Sequence, residues 1–526
     1  MNNIIKSCLN KGILIDQKAV EILEVVSGDE EISQAVIETC CSLMKDKILN
    51  ENLFSENKEK IILILNNLKQ KFPSRKEMID LLSQKILEKF KTSRKEDQQE
   101  TAKNTSILKE ESVKVLASYS IPGKKLEVED FVRYFRNRFN IIKGILQEHS
   151  ELQNLTSIGK INGQKQNISI IGIISDKRVT KNKNVLIEVE DLTGRISLLV
   201  NANKPEIFQK CKDLVFDDIA GFKCSGNNEI LFVNDIVFPD AMIPERRKSL
   251  KEEYAAFTSD IHVGSTRFLE ANFAKFIKWL NGEIGSESQR ELAKKVKYLF
   301  IVGDTVDGIG IYPNQENFLS IKDIKRQYEL LASYLSKIRK DVKIIMSPGQ
   351  HDSVRVAEPQ PPIDKHFAEP LHNIENLILV SNPALINIGS TASFSGLKVL
   401  MYHGASFHSL ISDIEELRLT NAHHCPSKVV KHVLKRRHLS PTHSSVVYIP
   451  TEISDPLAIL IIPDIITTGE MHKTDVSSYN NILTIACSCW QSITPYEEKV
   501  GNEPDPCKVP ILNMKTGQVN ILDFTE

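Results

Sequence analysis

The stretch YLFIVGDTVDG, residues 298–308, decides how the C-terminal half of the chain is read. Its first half is a run of aromatic and β-branched side chains, the pattern of a buried strand. The run breaks at Gly303 and delivers two carboxylates, Asp304 and Asp307, just beyond the strand's end. Four other stretches repeat the design. YAAFTSDIH (254–262) ends on Asp260 and His262. VKIIMSPGQHD (342–352) ends on Gln350, His351 and Asp352. LKVLMYHG (397–404) ends on His403, and ILIIPDIITTGEMH (459–472) on Glu470 and His472. Helical or irregular stretches separate these runs, which is the grammar of an α/β domain. In such domains sites gather at strand ends, so five endings can meet at one place.

The residue types suit metal-assisted phosphodiester hydrolysis. That reaction needs an acidified water and charge neutralisation on both the attacked and the leaving oxygen, and two divalent ions about 3.5–4 Å apart supply both. Mixed carboxylate, amide and imidazole donors suit manganese, and they also admit iron or zinc. Histidine usage points the same way. Of 13 histidines only His149 precedes residue 250, and the others lie between His262 and His472. The nine cysteines contain no CxxC pair, which argues for buried thiols rather than a zinc site.

Working outward from this region, residues 160–243 change period. QNISIIGIISDKRV, NVLIEVEDL, RISLLVN, DIAGFKCSG and EILFVNDIVF read as five short strands. DLTGR is a hairpin signal between the second and third, and NKPEIFQKCK reads as a helix after the third. This pattern fits an OB-type barrel, a fold that often binds single-stranded nucleic acid. Five phenylalanines (208, 216, 222, 232 and 238) are expected to be mostly buried within it. Residues 244–253 form a charged connector into the α/β domain, which runs to residue 526.

Residues 1–90 read as a helical N-terminal domain. Ala19, Val20, Ile22, Leu23 and Val26 recur at helical spacing and Gly28 is a plausible stop, with similar periodicity in 61–68 and 78–90. Residues 91–159 are expected to comprise a polar linker, to about residue 115, and a connecting helix. That helix carries an apolar stripe of Phe131, Tyr134, Phe135, Phe139, Ile142 and Leu146, with Arg133, Arg136, Arg138 and Lys143 on its other faces. The fold class is therefore multidomain α+β.

The ordered set DxH, GDxxD, GxHD, a lone YHG histidine and a terminal GxxH resembles the calcineurin-type metallophosphoesterase signature. More narrowly, GDTVDGIGIYPNQ, SPGQHDSVRVAEPQPP and LKRRHLSPTHSS resemble small subunits of the archaeal family D DNA polymerases. The resemblance covers about residues 160–526 and is weaker over the first 150. It implies a 3′→5′ exonuclease with two divalent ions, manganese or magnesium foremost. It also implies a large polymerase subunit and DNA as partners. By the same resemblance Asp260, His262 and His472 hold the first metal and Asp304 bridges. Gln350, His403 and Glu470 hold the second, His351 assists the leaving oxygen, and Asp352 orients His351.

Two positions depart from the family pattern. GNHD is here GQHD, and GHxH is here GEMH, so both changes fall on the second metal's shell. Gln keeps the amide oxygen of Asn and Glu replaces an imidazole nitrogen with a carboxylate oxygen, which favours magnesium or manganese over zinc. The alternative is a non-catalytic accessory subunit with a weakened nuclease site.

Formal net charge is −1, so contact with DNA requires local basic patches. Lys428, Lys431, Lys435, Arg436 and Arg437 share helix faces and are the candidates for such a rail. The AEPQPP stretch (357–362) is expected to shape a loop bordering the site. No apolar run reaches membrane-spanning length and no secretory signal opens the chain, so a cytoplasmic protein is expected.

Overall fold

The computed structural model describes residues 3–43, 48–56, 61, 65, 68, 72, 75–89, 112–451 and 455–525. The chain forms two compact units, Met1–Lys109 with Glu127–Gln153 and Pro450–Asp455, and Glu110–Leu126 with Asn154–Ile449 and Pro456–Glu526.

The first unit is built from helices α1 (Asn3–Asn10), α2 (Gln17–Leu23), α3 (Glu30–Leu43), α4 (Glu51–Glu56), α5 (Lys76–Lys89) and α6 (Val128–Gln147). A short parallel pair, β1 (Leu14–Ile15) and β2 (Ile48–Leu49), sits among them. Asp16 caps α2, its carboxylate accepting from the Ala19 amide at 2.6 Å. The stripe Ala19, Ile22, Leu23 and Val26 is fully buried, with Val36, Phe54 and Ile79 in the same core. Most of residues 57–74 lies outside the described residues.

Along α6, Tyr134, Phe139, Ile142 and Leu146 turn inward as their spacing predicts. Arg138 does not occupy a polar face. It is 2% exposed, and its Nε donates to Asp455 Oδ2 at 2.9 Å. The Tyr134 hydroxyl donates to Asp455 Oδ1 at 2.9 Å and accepts from Arg138 Nη2 at 3.0 Å. A guanidinium tolerates burial when paired and hydrogen-bonded in this way, and the four-residue spacing on a helix puts the tyrosine beside it.

In the second unit, β3 (Val113–Ala117) corrects the expected linker. Residues 91–111 lie outside the described residues, but the end of that polar stretch is an edge strand paired with β13 (Ala384–Ile388). A closed barrel follows, formed by β4 (Lys165–Val179), β5 (Val185–Asp191), β6 (Gly194–Val200), β7 (Ile219–Gly226) and β8 (Ile230–Val237). Helix α7 (Pro205–Lys212) lies between the third and fourth strands. Strand order is β4-β5-β6-β8-β7, and β7 closes on β4. The β5–β6 turn is held by Asp191 Oδ1, which accepts from the amides of Thr193 and Gly194 at 2.7 and 3.0 Å. Val185, Ile187 and Val189 alternate into the core, which Phe222 and Phe238 share. Phe216 and Phe232 are about half exposed instead of buried.

The remaining strands divide between two sheets of six. One has the order β12-β11-β10-β9-β18-β19: Leu377–Leu379, Lys343–Ser347, Val296–Val302, Tyr254–Thr258, Lys508–Asn513 and Val519–Asp523. The other has the order β16-β17-β15-β14-β13-β3, in which β14 is Leu397–Met401, β15 Ile465–Thr468, β16 Asp475–Tyr479 and β17 Ile482–Ala486. Strands β9 to β12 are mutually parallel, as are β14, β15 and β17. Side chains of both sheets form a common core, with Phe257 stacked on Phe300 (centroids 5.1 Å apart) among Ile386, Val399, Met401 and Ile485. On the first sheet's other face, helices α8 (Glu270–Leu280), α9 (Glu287–Lys295), α10 (Ile324–Leu335) and α11 (Lys365–His372) contribute to a second core with Trp490.

The apolar run 459–472 is not one long strand, because residues 459–464 are irregular and pairing begins at Ile465. Pro463 has no amide to donate to a ladder. The Asp464 carboxylate is held by Arg247 through two 2.7 Å bonds and accepts from the Lys398 amide at 2.7 Å. Four further helices complete the unit: α12 (Phe407–Asp413), α13 (Glu415–Leu419), α14 (Pro426–Arg436) and α15 (Pro495–Val500).

Candidate metal centre

The carboxyl ends of β9, β10 and β11 in one sheet and of β14 and β15 in the other deliver their polar residues to one place. His403 Nε2 lies 3.2 Å from Asp304 Oδ2, 3.3 Å from Glu470 Oε2 and 3.9 Å from Asp260 Oδ1. His472 Nε2 lies 3.4 Å from the same Asp260 oxygen. Donor atoms of Asp260, His262 and His472 fall within 4.8 Å of one another, as do those of Asp260, Asp304 and His403. Asp260 thus belongs to both groups, the shared position that the family resemblance gives to Asp304. Gln350 Nε2 donates to Glu470 Oε2 at 2.8 Å, so the two residues that depart from the family pattern touch each other.

The histidines are oriented alike. His403 Nδ1 faces the Val302 carbonyl at 2.8 Å, His472 Nδ1 faces Glu497 Oε1 at 2.8 Å, and His262 Nδ1 faces Asp307 Oδ1 at 3.1 Å. A carbonyl or carboxylate oxygen can only accept, so Nδ1 carries the hydrogen. Nε2 of each ring is then turned toward the carboxylates. This is the orientation of metal-binding imidazoles, whose second nitrogen is held by an outer oxygen. Four buried donor atoms of the centre make no hydrogen bond: Asp260 Oδ1, His262 Nε2, His403 Nε2 and Gln350 Oε1. Buried polar atoms without partners are costly, and four converging ones fit a cation.

The electrostatics agree. Burial alone pulls the His262 and His403 imidazoles down, yet neighbouring carboxylates hold both above their ordinary value, Asp307 foremost for His262 and Asp304 for His403. Burial likewise opposes His472, which Cys489 and Asp260 raise. Burial would raise Asp304 and Glu470, but His403 and its neighbours hold both below the usual carboxylate range.

The backbone bends unusually at these residues. Asp260, His262, Asp304, Glu470 and His472 all have positive φ, between 46° and 67°. Left-handed conformations cost non-glycine residues about 1–2 kcal/mol each and cluster at functional sites. Gly469 lets the chain pass the centre, since a Cβ there would stand 2.6 Å from Asp260 Oδ2 and 2.7 Å from the Val302 carbonyl.

Several expectations change. Asp352 does not orient His351. Its carboxylate accepts from the Thr305 amide at 3.1 Å, the Gly349 amide at 2.9 Å, the Tyr328 hydroxyl at 3.2 Å and the Thr305 hydroxyl, and so ties two loops together. His351 is set by Asp307, whose carbonyl lies 2.8 Å from Nδ1, and by Asp304 Oδ1, which accepts from the His351 amide at 2.8 Å. The basic helix does not form a five-residue rail. Arg436 is 4% exposed and bonds Asp218 at 2.9 and 3.2 Å. Arg437 is buried on the carbonyls of Ile459 (2.6 Å) and Leu460 (2.8 Å), and Lys435 pairs with Asp213 at 2.7 Å. Of the five, Lys428 and Lys431 keep appreciable exposure, with no acidic partner among the described residues. Helical periodicity places residues on a face but does not say what packs against that face.

Other contributors escaped the sequence reading. Asp307, which the sequence placed at a strand's end without a role, is 2% exposed beneath His262. Glu497 supports His472 from a capping box at the start of α15, a signal of helix onset only. His408 Nε2 approaches Glu470 Oε1 at 3.4 Å, although nothing in the sequence separated it from other exposed histidines. The AEPQPP loop does border the centre. Gln360 Oε1 accepts from Asn382 Nδ2 at 2.8 Å, and Asn382 Oδ1 accepts from the His403 amide at 2.9 Å.

A barrel, two sheets and a histidine–carboxylate cluster at strand ends define a multidomain α/β protein with a candidate metal centre. Residues 255–476 match the family of B subunits of DNA polymerases alpha and epsilon. The DNA polymerase II small subunit of Methanothermobacter thermautotrophicus is 37% identical over 399 residues, which is 76% of this chain and 80% of that protein. The Pyrococcus furiosus small subunit is 35% identical over 411 residues, 77% of this chain and 65% of that protein. The Halobacterium salinarum small subunit is 31% identical over 404 residues, 76% and 75% of the two chains. This chain belongs to the family of small subunits of archaeal DNA polymerase II, the family D polymerases. A solved structure of a novel archaeal phosphodiesterase aligns at 13% identity over 51% of this chain and 98% of that one, with a TM-score of 0.26, too slight a likeness to bear on function. Among the described residues no helix is long and apolar enough to cross a membrane.

Proposed function

We propose that this subunit is a metal-dependent 3′→5′ exonuclease acting on single-stranded DNA, and that it supports synthesis by a large polymerase subunit in the cytoplasm. The observation that carries the reading is the common orientation of His262, His403 and His472. Each turns a hydrogen-bonded Nδ1 outward and an Nε2 inward toward buried carboxylates. Asp260, His262 and His472 would hold one divalent ion, Gln350, His403 and Glu470 the other, and Asp304 would be shared between the two. The oxygen-rich second set favours manganese or magnesium. When bound, the pair would acidify the attacking water and neutralise charge on the phosphate.

The chain's own groups do the rest. His351 donates Nδ1–H to the Asp307 carbonyl, so its Nε2 is the nitrogen available to hand a proton to the departing 3′ oxygen. Asp307 and Glu497 fix the tautomers of His262 and His472, and Val302 fixes that of His403. Asp352 keeps the loops after β10 and β11 in register by accepting from Thr305 and Gly349. We read the barrel as OB-type. Its strand order, with a helix between the third and fourth strands, supports this, and the half-exposed Phe232 offers a face for bases.

A second reading, an accessory subunit with a weakened nuclease site, is favoured by the Gln350–Glu470 hydrogen bond, in which Glu470 Oε2, an oxygen a metal would need, is occupied by accepting from Gln350 Nε2. Manganese-dependent degradation of a single-stranded oligonucleotide by the purified chain, with Asp304→Ala as control, separates the two. The exonuclease reading requires activity that Asp304→Ala abolishes. Equal degradation by both proteins refutes it. A rise of orders of magnitude on restoring Gln350→Asn and Glu470→His would favour the weakened site.

A further inference from the structure

The loop after β10 leaves the candidate centre carrying three apolar side chains that the chemistry above does not use. Ile309, Ile311 and Tyr312 are 47%, 39% and 40% exposed. The Tyr312 ring centroid lies 6.4 Å from that of His351, with the planes 58° apart. Exposed apolar groups beside a charged, buried centre would be expected on a floppy segment if they served nothing. This segment is clamped at both ends. Gln327 reads Gly308 twice, its Oε1 accepting from the amide at 3.0 Å and its Nε2 donating to the carbonyl at 3.1 Å. Gln315, itself 1% exposed, accepts from the Ile311 amide at 2.9 Å and donates to the Asp307 carbonyl at 2.8 Å. The same Asp307 carbonyl meets His351 Nδ1, so the Tyr312 loop and the histidine share one anchor.

We propose that Tyr312, flanked by Ile309 and Ile311, is a stacking platform for the nucleobase at the 3′ end of a DNA strand, placing the last phosphodiester beside His351. This rests on the exonuclease reading for the identity of the scissile bond. The Tyr312 ring, its centroid 6.4 Å from that of the candidate acid, stands beside the place where the phosphate of a stacked terminal base would have to lie. Stacking tolerates any base because each presents a π face. A rigid platform loses little entropy on binding, which the two glutamine clamps provide. The platform would select a strand end with a base over a bare phosphodiester.

The test uses the full chain with manganese. The probe is a single-stranded oligonucleotide that ends in 2-aminopurine behind a hydrolysis-resistant phosphorothioate linkage, compared with the same oligonucleotide ending in an abasic residue. Wild type and Tyr312→Trp should bind the base-bearing end about 5- to 100-fold more tightly and alter its fluorescence. Tyr312→Ala should bind both ends alike, with the affinity that wild type shows for the abasic end. Tyr312→Ala retaining the preference overturns the proposal, as does a wild type with no preference. So does a Tyr312→Ala defect seen only in binding the large subunit. If wild type cleaves nothing, the exonuclease reading fails, and the fluorescence comparison still decides the stacking.

Discussion

Replacing Arg436 with alanine should damage stability and leave DNA affinity alone. Arg436 ends α14 and reaches into the barrel, where its Nε bonds both oxygens of Asp218, at 2.9 and 3.2 Å. Its other nitrogens donate to the Asp213 carbonyl and, at 3.2 Å, to the His432 carbonyl. Both charged partners are nearly sealed from water, at 4% and 3% exposure. Burial already pushes the Asp218 carboxyl up, and Arg436 is its main counterweight. Truncation leaves Asp218 buried and unpaired, a loss of about 3–5 kcal/mol. At roughly 1.5 °C per kcal/mol for a unit of this size, melting should fall by about 4–8 °C. Exchanging both partners for apolar residues, Arg436→Met with Asp218→Leu, should recover most of the loss, because no charge is then stranded. Differential scanning fluorimetry reads the first effect and single-stranded DNA titration against salt the second. A phosphate contact would contribute about 0.7 to the slope of log affinity against log salt. An unchanged melting temperature together with a slope lower by that amount would return Arg436 to the DNA surface and refute the packing argument.

Gly469→Ala should abolish manganese binding by the full chain with little change in secondary structure, because the new methyl group meets Asp260 Oδ2 and the immovable Val302 carbonyl. Unaltered binding by calorimetry would contradict this. Asp307→Ala should lower manganese affinity about 10- to 100-fold by releasing the His262 ring, and paramagnetic resonance titration measures that directly. Glu358, 1% exposed, has its carboxyl pushed up to about 8, by burial first, with the nearby Glu470 adding to it and Tyr402 and His403 opposing. The folded chain therefore binds this proton more tightly than the unfolded chain. Its contribution is complete below the ordinary value of 4.5 and is lost as pH rises through about 8. In metal-free protein the loss is at most about 5 kcal/mol. Glu358→Gln should flatten the decline in urea midpoint between pH 5 and 8, and parallel curves for variant and wild type would refute the buried-acid account.

Sequence by itself determined the strands of the C-terminal half and the polar residues at their ends, because burial on both faces forces apolar runs and a site at a strand's end interrupts them. It determined the five barrel strands through their period and turn residues. It also determined the family, which rests on local motifs such as GDTVDGIGIYPNQ. Tertiary structure alone decided that the site strands divide between two sheets, since periodicity reports which faces are buried and not which neighbour covers them. It turned Arg138, Lys435, Arg436 and Arg437 from apparent surface charges into internal ties, each by supplying an acid or carbonyl from far along the chain. It moved the support of His351 from Asp352 to Asp307, because a hydrogen bond depends on where two loops meet in space, which a role carried over by family resemblance does not record.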